Sequence, residues 1–74
     1  MNIDEYRQQR NKDLSREFNA ARKLECHPRD KVFISVVSDI IKGDEELTKQ
    51  ARIMLVEYDK EYNATIITNG NTAQ

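Results

Sequence analysis

Pro28, Gly43 and Gly70 are the only proline and glycines in 74 residues. Strand-rich folds need turn signals every eight to twelve residues or so. Here the stretches between such signals are much longer, and helices are the elements that fill them. A chain of this length makes one domain. It buries only about 60% of the surface its unfolded form exposes, so its stability is expected to be marginal. Seventeen residues are Val, Ile, Leu or Phe. That lies above the level of about 20% below which chains stay disordered. One core is therefore expected, with little room for an enclosed pocket. Dinucleotide-binding folds and barrels are excluded by size.

Asn2 with Glu5 three residues later reads as a helix start, a variant of the capping box. The first helix is expected from about Asp4 to Leu24. Its apolar stripe is Ile3, Tyr6, Leu14, Phe18, Ala21 and Leu24. Pro28 suits the first turn of a second helix, running to about Lys42. Phe33, Val36, Val37, Ile40 and Ile41 follow helical spacing, and Val32 and Ile34 widen that stripe. So apolar a helix is expected to be the central one. The β-branched run 32–37 reads as helix because its apolar spacing fits 3.6 better than 2. Gly43 is expected to end this helix and Asp44 to cap the next, which makes the second and third helices antiparallel neighbours. The third helix runs from Asp44 to at least Tyr62, with Leu47, Ala51, Met54, Leu55, Tyr58 and Tyr62 inward. Residues 64–68 are open between helix and extended arm.

The expected fold is all-α: a small three-helix bundle, or a helical hairpin plus an N-terminal helix, completed by dimerisation. Residues 1–68 form the domain and 69–74 a flexible tail.

Catalytic and metal chemistry find little support. Cys26 and His27 are adjacent, but neighbouring side chains need not face each other, and no Ser/His/Asp spacing accompanies them. One cysteine and one histidine fall short of a structural zinc set. Asp44, Glu45 and Glu46 read as helix capping, and no glycine-rich loop is present to hold phosphate. The expectation is a protein without catalytic residues, metal or cofactor. A single cysteine and the polar stretch MNIDEYRQQR point to a reducing, cytoplasmic setting. The longest apolar run, Ile53 to Val56, is too short to cross a membrane.

Two features point to a binding surface. Arg10 interrupts the apolar stripe of the first helix near Tyr6, and a buried arginine is costly unless paired. Ile53, Val56 and Ile67, with Lys60 between them, form a second apolar row on the third helix. Tyr6, Arg10, Ile53, Val56, Lys60 and Ile67 are therefore the candidate interface residues, with Tyr58 and Tyr62 as further anchors. The leading expectation is a non-enzymatic, dimeric regulator or inhibitor that covers a surface of a larger protein. A second reading uses Lys12, Arg16 and Lys23 on one face of the first helix to contact nucleic-acid phosphates. Against it, 13 acids outnumber 12 bases and the pI is near 5.8. A third places a small anionic ligand between protomers, held by Arg10 and the cations of the first helix.

Overall fold

The computed structural model describes residues 2–73, with side chains described for 2–65. Three helices account for nearly all of them: α1 Ile3–Leu24, α2 Lys31–Ile41 and α3 Glu45–Ala73. No strand occurs among the described residues, and 32–37 is helical.

Local hydrogen bonds set the helix limits. Asn2 Oδ1 accepts the Glu5 N–H at 2.8 Å and starts α1. Glu25 ends it in the left-handed region at φ 55°. Its N–H donates to the Arg22 carbonyl, while the Cys26 N–H donates to that of Ala21. This is the Schellman pairing, formed with a glutamate where glycine is usual. The second helix starts later than Pro28. Asp30 is the true cap, its Oδ1 accepting the Phe33 N–H at 3.0 Å. Pro28 lies instead in the loop, fully buried. Asp44 caps α3 as expected, its Oδ1 taking the Leu47 N–H at 3.0 Å. The joint before it uses two left-handed residues, Lys42 and Gly43.

The chain runs up, down and up. Arg7 meets Asp44 and Arg22 meets Glu61, at sequence separations of 37 and 39. So near-constant an offset means that α1 and α3 run parallel, with α2 antiparallel to both. Tyr62 lies against His27 in the α1–α2 loop, with ring centroids 5.1 Å apart. From there α3 continues without a break to Ala73, so its backbone over 64–68 is helical rather than extended. The expected loose tail over 69–74 lies outside the residues whose side chains are described.

Each helix supplies one aromatic ring to the centre of the core. Phe18, Phe33 and Tyr58 form a triangle of edge-to-face contacts, with centroids 5.0, 5.8 and 6.2 Å apart. Such pairs contribute about 0.5–1.5 kcal/mol each beyond simple burial. Leu14, Leu47 and Ile40 fill the half nearer the α2–α3 joint. Three expected core residues are exposed instead: Ile3 at 54%, Leu24 at 75% and Val32 at 73%. Ile3 overhangs the bundle, because α3 begins level with Arg7, one turn further on. Leu24 and Val32 sit about 80–100° around their helices from the core line. Helix α2 is not central either: Val32 is exposed and Ile34 and Val36 are half-buried. In a three-helix bundle each helix has two neighbours and keeps a free outer face.

Candidate functional site

The structure separates the candidate interface residues into two faces. Tyr6 and Arg10 lie on α1, on the flank away from α3. The α1 side chains that bond to α3, Arg7 and Arg22, occupy the other flank. Ile53, Val56 and Lys60 lie on α3, opposite its buried Leu47, Ala51 and Tyr58. The Ile67 side chain is outside the described residues.

On the α1 face, the Arg10 guanidinium carbon lies 5.3 Å from the centre of the Tyr6 ring. A cation over an exposed ring is stabilised by about 0.5–1 kcal/mol. No acid lies within ion-pair distance of Arg10 among the described residues. Both side chains are half-buried, and Tyr6 packs on the edge of the core. Ile3, one turn before Tyr6, extends the stripe. Its helix is fixed close by, where Arg7 Nε donates to Asp44 Oδ2 at 3.2 Å. Asp44 thus serves as cap and ion-pair partner together. The Leu47 N–H bond holds its carboxyl below the ordinary 3.8; partial burial opposes this, and Arg7 adds to the lowering.

On the α3 face, Ile53 is 55% and Val56 54% exposed. A hollow of about 260 Å³ adjoins them, lined by Pro28, Arg29, Leu55, Val56, Asp59 and Lys60. Arg52 and Asp59 border the row on its α2 side. Lys49 meets Glu46 one turn earlier at 3.6 Å.

Lys12, Arg16 and Lys23 share the outward face of α1, bordering an open depression with Ser15 and Asn19. Arg16 makes a loose contact with Asp13 at 3.7 Å. All three cations come from a single helix.

Cys26 and His27 are not brought together as nucleophile and base. Cys26 packs against the core. His27 Nδ1 accepts the Arg29 N–H at 3.0 Å, which occupies that nitrogen within the loop. Tyr58 is no surface anchor, being only 3% exposed. Its hydroxyl donates to the Ala21 carbonyl at 3.1 Å and lies against that of Cys26. It therefore adds a second kind of donor at the Ala21 carbonyl, which already takes the Cys26 N–H, and supplies one to the Cys26 carbonyl in the loop just beyond α1. Burial, with Cys26 and Tyr62 nearby, raises the Tyr58 pKa above 10.0.

Sequence reading missed the Arg7–Asp44 pair, because Asp44 already had a sufficient local role as a cap and the two residues are 37 positions apart. It also missed a groove of about 170 Å³ between α2 and α3, lined mainly by Ile34, Val37, Ile41, Ala51 and Leu55. These side chains had been assigned to the core, and only the splay of the two helices leaves them partly open. No group of three metal-ligating side chains occurs among the described residues, and no described helix is long and apolar enough to cross a membrane. Comparison with family models, curated proteins and solved structures finds no match.

Proposed function

We propose that this protein is a non-enzymatic regulator or inhibitor that covers a surface of a larger protein, with Ile3, Tyr6 and Arg10 as its contact. One observation carries the reading: Arg10 is held against the Tyr6 ring with no carboxylate from the described residues near it. A guanidinium fixed in place by a ring has lost much of its freedom before binding. It is then ready to take a carboxylate from a partner. Arginine and tyrosine are also the side chains that most often dominate binding energy. Ile3 adds exposed apolar area one turn away. Occlusion needs only these contacts on a rigid helix.

Affinity capture from lysate of the source cells, with nuclease present, tests the reading. One protein should be enriched by the wild type and lost with Arg10→Ala, while the circular dichroism of the variant stays unchanged. Capture that vanishes with nuclease would transfer the function to the Lys12, Arg16 and Lys23 face. Capture indifferent to Arg10→Ala would remove the stripe as the contact.

A further inference from the structure

The hollow beside the α1–α2 loop gathers charge around an apolar surface. Side chains four apart on a helix line up as ridges, with a groove between neighbouring rows. On α3 the rows Leu55–Asp59 and Val56–Lys60 are such neighbours, and Pro28 and Arg29 of the loop complete the lining. The loop side is fixed in place. Pro28 is fully buried, and the Arg29 N–H donates to His27 Nδ1 at 3.0 Å. Among the described residues, Arg29, Asp59 and Lys60 make no ion pair. The Asp59 carboxylate accepts one long bond there, at 3.4 Å from Asn63 Nδ2. Two cations and one acid thus border a space of about 260 Å³ without neutralising one another.

We propose that this hollow binds a free aliphatic α-amino acid of the size of leucine. The ligand's carboxylate goes to Arg29 and Lys60, its ammonium to Asp59, and its side chain lies against Pro28, Leu55 and Val56. Sites for small ligands have this composition, with apolar walls and a few converging polar groups.

Charge and size together select the occupant. A simple carboxylate or phosphate would satisfy the two cations but set like charge against Asp59. An amine alone would satisfy Asp59 but meet Arg29 and Lys60. A free α-amino acid carries both signs on one carbon and answers all three groups. A peptide holds its two ends apart, so it brings only one of them to the hollow. A charged ligand side chain would find no partner among Pro28, Leu55 and Val56. At about 30 Å³ for each water-sized group, the hollow takes about nine non-hydrogen atoms, the number in leucine or isoleucine. The site is open to solvent, which screens its charges, so a dissociation constant on the order of 1 mM is expected.

Amide chemical shifts of the whole chain, followed during titration with L-leucine to about 50 mM at low salt, test this. Saturable shifts should centre on residues 28–29 and 55–60. Leucinamide lacks the carboxylate and 4-methylpentanoate lacks the ammonium, and each should bind about tenfold more weakly than leucine. Asp59→Asn should weaken leucine about tenfold but leave 4-methylpentanoate no weaker, and Arg29→Gln should weaken leucine about fivefold but not leucinamide. These are changes at the surface, and the same spectra report whether each variant stays folded. Leucine that produces no saturable shift overturns the proposal. So does 4-methylpentanoate binding as tightly as leucine, which would make the hollow a plain anion site, or an Asp59→Asn variant that keeps full affinity for leucine. None of these outcomes depends on Arg10, so failure here is separate from failure of the regulator reading.

Discussion

The two halves of the bundle are built differently. Towards the α1–α2 loop, three aromatic rings interlock, Tyr58 closes the end of α1, and Arg22 bonds to Glu61 at 2.8 Å above the Tyr58 ring. Towards the α2–α3 joint, the core is aliphatic, and one part-buried ion pair fastens α1 to α3. Among the described residues, the buried Asn11 Oδ1 has no hydrogen-bond partner there. Ile3, Tyr6 and Arg10 project from that less closed end. Where polar and apolar needs are met internally, little is left to offer a partner. The proposed contact lies where they are met incompletely.

Variants in the two halves should differ accordingly. Phe33→Ala removes one corner of the aromatic triangle and should cost about 3–5 kcal/mol, read by urea denaturation. On a domain this small, that approaches loss of the fold. Tyr58→Phe keeps the ring but leaves the carbonyl of Cys26 short of a donor. A loss of about 1–3 kcal/mol is expected. The same variant should flatten the alkaline limb of stability. The Tyr58 pKa is raised in the folded state, so its contribution is complete below pH 10 and is lost as pH rises from there through the folded value. An alkaline limb unchanged by Tyr58→Phe would deny that the hydroxyl is buried as a donor.

In the other half, Asn11→Leu should raise stability by about 1 kcal/mol, because it replaces an unpaired buried oxygen with apolar contact. A lower melting temperature would show that Asn11 does have a partner, such as a bound water. Arg7→Ala should lower stability less than Tyr58→Phe, and the loss should shrink in acid. The Asp44 pKa is lowered on folding, so its contribution is complete above 3.8 and disappears as pH falls through the folded value. The smallest effect is expected for Arg10→Ala, within about 0.5 kcal/mol in stability although partner binding is lost. A large destabilisation there would make Arg10 a structural residue and erase the contrast between the halves.

Much of the architecture was readable from individual residues. Asn2 and Asp44 marked helix starts correctly, because caps depend on hydrogen bonds a few residues away, whereas the left-handed cap of α2 falls on Lys42, one residue before Gly43. Pro28 misled because a nearer cap, Asp30, outcompeted it. Glu25 gave no signal at all, since a non-glycine residue in the left-handed region is held there by its surroundings. The candidate surfaces were only half legible. Ile53 and Val56 were visible as a surplus row, but their separation from Tyr6 and Arg10 was not. That separation depends on which flank of α1 faces α3.

By itself, then, the sequence determined three helices, their order and most of their ends, through spacing and capping that act over a single turn. Tertiary structure alone decided that α1 and α3 lie parallel, that Tyr58 turns inward to the end of α1, and that Ile3, Leu24 and Val32 stay in solvent. An apolar side chain is buried only if another helix reaches it, and the reach of a neighbour is fixed by packing across the whole chain.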